Sequence, residues 1–328
     1  MSTPRTPRFA KALAAATILT LAGASHALAV DSKDNAALGY WRAFSLITPE
    51  QVDVIRSVGH QPIDAPEEIL KNEAVLAILR DDSLIDRLIT AASKPDCDFA
   101  VEYERGLDAL LPHLGPMRTS AQILTMRAAL DLAEGRPAHA AACIEATVRS
   151  AEHLIGDKIL ISSLVSARII EHTRAVVERG VKIGAFNADQ RAVLLDAVDR
   201  FENEDPFGVI ASLQTESTMI SRWAETTLAG ENGPELLVQV SPGGDADESR
   251  RIIEDLPNQI RLYELAMGRG IDAVAARDAT ALDELGAALR EGAFGELAKI
   301  VIPSLRRTIS TMESAEANLQ AIRDALAR

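Results

Sequence analysis

Hydrophobic positions recur every three or four residues along most of the chain, and this spacing predicts amphipathic helices. Between residues 116 and 134, two apolar stripes occupy one segment, which indicates a central helix buried on more than one side. The sequence Gly135-Arg136-Pro137 then ends this helix and begins the next, because glycine favours helix ends and proline favours the first turn. Further helices are predicted over residues 137–154, 157–180, 188–202, 207–229, 248–268, 271–290 and 303–327.

One more helix is predicted to begin at an acidic cap. Asp64 is followed by proline and then by Glu67, and the apolar pattern continues to Leu79. Strand signals are weak, and the best of them is the apolar run Glu235–Val240 before the turn-rich residues 241–245. The sequence therefore predicts an all-α protein of antiparallel helical hairpins, arranged as a repeat-like array or a bundle.

The N-terminal segment has the parts of a secretory signal peptide. Arg5, Arg8 and Lys11 form a basic region, residues 12–24 are uncharged and mostly apolar, and Ala27-Leu28-Ala29 offers a cleavage site. We therefore expect residues 1–29 to be removed and the protein to be exported to the periplasm or beyond the cell. An uncleaved membrane anchor is the alternative.

The remaining chain divides by composition. Residues 30–229 are predicted to form a helical hairpin domain, and residues 230–247 a loop or linker rich in glycine. Residues 248–328 are predicted to be C-terminal helices packed on the same body.

Composition narrows the class of protein. The 328 residues are 47% hydrophobic and carry 34 basic against 48 acidic side chains, a net charge of −14. This balance is typical of a globular protein and argues against nucleic-acid binding, because acidic surfaces repel phosphates. A protein or peptide partner is expected, with a cationic one favoured by the charge. No second apolar run has membrane-spanning length, and the oligomeric state is left open.

The two cysteines allow two interpretations. In an oxidising compartment Cys97 and Cys143 could form a disulfide that closes a long loop. Alternatively, they are two buried free thiols that behave as small hydrophobic side chains.

Known catalytic motifs are missing. The sequence contains no G-x-S-x-G, no phosphate-binding glycine loop and no H-E-x-x-H motif, and we predict neither a metal nor a cofactor. Glu152 and His153, with Glu171 and His172, could form a carboxylate–histidine metal site near Asp157. Ordinary charges at helix surfaces and ends explain them more simply.

The best catalytic candidates are Asp98, Glu102 and His113. On a helix, Asp98 and Glu102 would share one face, so one carboxyl could gain a raised pKa and act as a general acid, with His113 as a base. The alternative is that these acids cap and stabilise a helix N-terminus.

Two resemblances support helical hairpins. Residues 124–150 resemble one tetratricopeptide unit, with small residues at Ala128, Gly135 and Ala140, although the aromatic positions of that family are not matched. This resemblance implies antiparallel hairpins with a concave binding face. Short segments also resemble uncharacterised exported helical proteins of planctomycete bacteria, a group that implies no activity: Ala36–Ile47, Cys97–Phe99, Leu110–Leu114 and Leu160–Val165.

The leading functional hypothesis is a non-enzymatic binding or scaffolding module. Arg118, Gln122 and Arg127 are expected to line its concave face, and Arg127 can pair with Asp131 four residues on. Arg168 interrupts an apolar stretch and is expected to act as a strut between helices. The alternatives are a hydrolase that uses the carboxylate and histidine candidates, and a structural component of the cell envelope.

Overall fold

The computed structural model describes residues 34–58, 71–240 and 246–328, and the regular elements within these ranges are helical, which confirms the all-α class. An isolated bridge joins Asn35 to Asp96. A 3-10 segment spans Tyr103–Asp108, and a π-helical turn spans Ala224–Leu228, directly after the helix that ends at Trp223. The α-helices are α1 (Ala36–Phe44), α2 (Pro49–Val58), α3 (Glu73–Leu79), α4 (Asp82–Ala92), α5 (Leu114–Ala133), α6 (Pro137–Ile155), α7 (Leu160–Lys182), α8 (Ala188–Asp199), α9 (Val209–Trp223), α10 (Gly233–Val240), α11 (Ala246–Glu254), α12 (Leu256–Ala275), α13 (Ala279–Arg290), α14 (Gly295–Val301) and α15 (Leu305–Leu326).

The helices α5, α6 and α7 pack against one another and form the centre of the molecule. Nearly every side chain of α5 from Met117 to Leu132 is buried, as the two apolar stripes predict. Gly135 takes a left-handed φ of 73° in the turn after α5, and Pro137 occupies the first turn of α6. The predicted hairpin is therefore formed, because the turn residues allow α6 to fold back along α5.

Outer helices cover this centre on several sides. α15 lies along α7, α4 packs between α1 and α6, and α12 packs against both α9 and α14. Side-chain caps fix several helix starts, including a full capping box at α8, in which Asn187 and Gln190 each accept from the other's backbone N–H.

Three details differ from the sequence predictions. Glu235–Val240 belongs to helix α10 rather than to a strand, within the segment predicted as a linker. The helix predicted over residues 248–268 is divided at Asp255, and its second part continues to Ala275. The second part passes through Gly270, where a Cβ would lie 2.4 Å from Leu305 Cδ1, so this glycine allows α12 to pack closely against the start of α15.

Some predictions fall outside the described residues. These are the signal peptide at residues 1–29, the acidic cap from Asp64 to Glu67, and the turn at residues 241–245. Among the described helices, none combines the length and the apolar character that crossing a membrane requires.

Candidate functional site

The three predicted acid–base residues do not converge on one cavity. Asp98 is exposed, and its carboxylate accepts a hydrogen bond of 2.7 Å from the backbone N–H of Ala100. The backbone of Asp98 also bonds to the side chain of Asn35, at 3.0 and 3.1 Å. Glu102 is exposed and forms an ion pair with Arg105. Both carboxylates therefore make local contacts, but neither caps a helix, because the 3-10 segment that follows Glu102 has no side-chain cap.

His113 is only 1% exposed and lies in a closed polar cluster. Its Nε2–H donates to Oδ2 of Asp157 at 2.8 Å, and the hydroxyl of Ser162 donates to the same oxygen at 2.7 Å. Phe99 stacks on the imidazole with ring centroids 4.1 Å apart. Since protein atoms enclose His113, a ligand cannot reach it, and its geometry does not support the role of general base for Asp98 and Glu102.

A second buried histidine, His153 on α6, connects this helix to α1 and to the segment that follows α4. Its Nε2–H donates to the carbonyl of Lys94 at 3.0 Å, so its Nδ1 must accept from the Tyr40 hydroxyl, also at 3.0 Å. Burial lowers the pKa of His153 to about 4, since a charged imidazolium would lose its hydration there. Both ring nitrogens are used, so the proposed metal set that included His153 and Glu152 loses a ligand; Glu152 itself pairs with Arg200.

Arg127 contradicts the predicted concave face, because it is 2% exposed and lies inside the protein. Its guanidinium donates to Asp131, to Asp82 and to the carbonyl of Leu79. Gln122 is 9% exposed, so it does not present its amide to a large ligand either. Arg118 alone of the three is exposed. The reason is that neighbouring helices cover every side of α5 from Thr119 to Leu132, so the Arg127–Asp131 pair lies in the interior.

Asp131, His139 and Cys143 bring possible metal ligands within 4.8 Å of one another. The carboxylate of Asp131 is already shared by Arg127, Arg136 and His139, so a cation would face two guanidinium groups. Burial also raises the pKa of the Cys143 thiol, which keeps the sulfur protonated and a poor ligand. The donor set therefore fits an ion-pair network better than a metal centre.

Both cysteines are free thiols in the structure. Cys97 lies in the loop before the 3-10 segment and Cys143 lies inside α6. Burial raises the pKa of Cys97 as well, and the charges of Asp157 and Asp98 add to the effect. Neither thiol is therefore activated as a nucleophile.

The exposed arginine Arg118 lines a groove of about 570 Å³ between α7 and α15. On α15 the lining positions recur every three or four residues from Arg307 to Asn318, so they form one continuous helical face. At a rise of about 1.5 Å per residue this face is about 16 Å long. The lining side chains are Arg118, Leu164, Val165, Ala167, Arg168, Glu171, Arg307, Ser310, Thr311, Ser314, Ala315 and Asn318.

The groove carries excess positive charge in an acidic protein. Arg168 pairs with Glu171 on its own helix, so the predicted strut between helices is wrong. Arg118 and Arg307 form no ion pair with another described residue. The sequence pattern predicted Arg118 as a binding residue but not Arg307, Ser310 or Ser314, although the three- and four-residue spacing of these polar positions is present in the sequence.

The fold and the groove together define a class: an all-α protein with a buried central hairpin and a polar, arginine-lined groove between two outer helices. Comparison of the chain with protein families, with curated proteins and with solved structures gives no match.

Proposed function

We propose that the protein is a non-enzymatic binding module that holds an acidic segment of a partner protein in the groove between α7 and α15. The observation that carries the proposal is the charge of the groove lining, which contains three arginines and one carboxylate. The arginines are Arg118, Arg168 and Arg307. In a chain with a net charge of −14, such a local excess of cations favours an anionic ligand.

The lining chemistry suits a peptide. Arginine can bind carboxylates through two parallel hydrogen bonds, and Arg118 and Arg307 are not engaged by carboxylates of the described residues. Serine and threonine hydroxyls can bond to a peptide backbone, while Leu164 and Val165 offer an apolar contact. A length of about 16 Å would hold about five residues of extended chain.

This proposal replaces the cationic partner expected from net charge, because the charge of the groove counts more than the charge of the whole surface. It keeps the expectation of a protein or peptide partner, and we place the module outside the cytoplasm on the strength of the predicted signal peptide. The hydrolase hypothesis loses its support, since Asp98, Glu102 and His113 do not converge.

The test measures fluorescence anisotropy with a labelled Glu-Leu-Glu-Ser-Glu peptide and with its lysine counterpart, Lys-Leu-Lys-Ser-Lys. We expect the acidic peptide to bind, and the combined change Arg118→Gln and Arg307→Gln to weaken binding by at least about tenfold. Arg290→Gln is the matched control, because Arg290 is exposed and lies outside the groove. Equal binding of the two peptides, or no effect of the double change, would contradict the proposal.

A further inference from the structure

A second cavity lies apart from the groove, beside the 3-10 segment that follows the Asp98 loop. Its volume is about 460 Å³, and it is bounded by this segment, by the turn before α7 and by one face of α9. The chemistry is concentrated in six of its side chains: Tyr103, Glu104, Lys158, Thr215, Met219 and Arg222. None of these residues lines the groove of the proposed function, so the two cavities can be tested independently.

The α9 wall is one regular helical face. Thr215, Met219 and Arg222 follow one another at intervals of four and three residues, so their side chains point to the same side of the helix. Another side of α9 is buried in the protein and includes Leu213 and Ile220. The cavity therefore takes its polar side chains from a well-packed helix rather than from a loose loop.

The buried cluster behind this cavity fixes the backbone beside Lys158. The preceding residue, Asp157, is fixed through its carboxylate by His113 and Ser162, and through its carbonyl by the Tyr103 hydroxyl at 2.6 Å. Lys158 itself has a left-handed φ of 50°, a conformation that residues other than glycine rarely adopt. Such a conformation persists only where its surroundings fix it, and it is enriched at ligand-binding sites.

The opposite wall is equally constrained. Gly106 has a left-handed φ of 55°, and a Cβ on it would lie 2.2 Å from Cγ of Trp223. The 3-10 segment is therefore seated directly on α9, next to Arg222. Glu216 fixes α9 to the start of α7, because its carboxylate accepts from the backbone N–H of Leu160 at 2.8 Å. The cavity is thus formed before any ligand arrives, which reduces the entropy lost on binding.

The charges of this cavity have no partners of their own. Lys158, Arg222 and Glu104 are exposed, and none of them forms an ion pair with another described residue. Elsewhere the exposed charges of the described residues pair frequently, as Arg277 does with Glu316 and Lys299 with Glu296. Two cations and one carboxylate around a small cavity match the charge pattern of a zwitterion.

We propose that this cavity binds a free amino acid. Lys158 and Arg222 receive its carboxylate, Glu104 receives its ammonium group, and the ring of Tyr103 and the side chain of Met219 contact its side chain. This cavity shares no lining residue with the groove, so its binding of an amino acid is independent of whether the acidic peptide binds there.

The experiment uses the full chain and titrates each of the twenty L-amino acids by isothermal calorimetry. The amino acid that binds most tightly is then compared with its N-acetyl derivative, which lacks the ammonium charge, and with its carboxamide, which lacks the carboxylate. We expect both derivatives to bind at least about tenfold more weakly. No binding across the twenty, or equal binding of either derivative, would overturn the proposal.

Three variants test the named side chains. Arg222→Gln, Glu104→Gln and Lys158→Gly are each expected to weaken binding of the amino acid by at least about tenfold. Lys158→Gly will fold, because glycine accepts the left-handed conformation without strain. Its matched control is Ala100→Gly, which changes another left-handed residue, φ 56°, outside the cavity and should bind as the wild type does. Binding unchanged in both Lys158→Gly and Arg222→Gln would also overturn the proposal.

Discussion

The buried charges of the central hairpin and the charges around its two outer cavities are used in opposite ways. Inside, Arg127 is shared among Asp131, Asp82 and a backbone carbonyl. In the cavities, Arg118 and Lys158 have no ionic partner among the described residues. Burying an unpaired charge is very costly, whereas an exposed charge costs little to leave unpaired. The difference separates the charges that specify the fold from those that remain available to a ligand.

The largest effect should come from breaking the buried network. Asp131→Ala leaves Arg127 with the exposed Asp82 as its remaining carboxylate partner and removes the buried one. Removal of one partner of a buried pair typically costs about 3–5 kcal/mol. We therefore expect the free energy of unfolding, measured by urea denaturation, to fall by about that amount.

The matched control removes both charges of the pair. In the double variant Arg127→Met and Asp131→Leu, no charge remains buried, so most of the lost stability should return. If Asp131→Ala were as stable as the wild type, water would have to reach Arg127. The charges of the central hairpin would then not differ from those of the two cavities.

The next largest effect concerns acid. The pKa of His153 is about 4 in the folded protein and near 6.5 when unfolded, so between these values the unfolded chain binds the extra proton. Stability should therefore fall as the pH drops from about 6.5 to 4, by about 3 kcal/mol from this residue. Urea denaturation at several pH values measures the loss.

The variant His153→Gln isolates this contribution, because a glutamine amide can still donate to Lys94 and accept from Tyr40 without titrating. The stability difference between the wild type and the variant should shrink or reverse below pH 5. A difference that stays constant with pH would mean that the imidazole is protonated equally in both states.

A smaller effect of opposite sign is expected at Lys158. Lys158→Gly removes the strain of the left-handed conformation and should raise the free energy of unfolding by about 0.5–1 kcal/mol. Thermal denaturation with Ala100→Gly as a parallel measurement shows whether strain relief alone explains the gain. A loss of stability would indicate that the Lys158 side chain contributes packing.

The smallest effect is expected at Arg168. Its pair with Glu171 is exposed, and such pairs contribute little, so Arg168→Gln should change the free energy of unfolding by less than about 0.5 kcal/mol. The same variant should weaken binding of the acidic peptide. A large loss of stability with unchanged binding would place Arg168 with the buried charges instead.

The turns and helix faces that depend on neighbouring residues could be predicted from the sequence. Gly135-Arg136-Pro137 predicted the turn between α5 and α6, and the two apolar stripes predicted the burial of α5. The helix end predicted at residue 268 is wrong, because α12 continues to Ala275 and Gly270 within it allows close packing with Leu305. Sequence alone does not distinguish this use of glycine from the turn at Gly135.

The candidate site was harder to predict, because its contacts join distant residues. His113 and Asp157 are 44 positions apart, and no periodicity connects them. The Arg127–Asp131 pair was predicted from its spacing, but its burial depends on α4 and α6, which cover α5 in three dimensions. The spacing along a helix therefore predicted which side chains form an ion pair, whereas the solvent exposure of that pair depends on the tertiary fold.

The seat of Gly106 on Trp223 has an optical consequence. The chain holds two tryptophans; Trp223 is 1% exposed with no hydrogen bond to its indole N–H, whereas Trp41 is 40% exposed. In the variant Trp41→Phe, Trp223 would be the remaining tryptophan. Because its indole is shielded from water, its fluorescence should have a short emission wavelength and should be quenched little by acrylamide. Since Trp223 is next to Arg222, a change in its intrinsic fluorescence would report ligand binding in the neighbouring cavity.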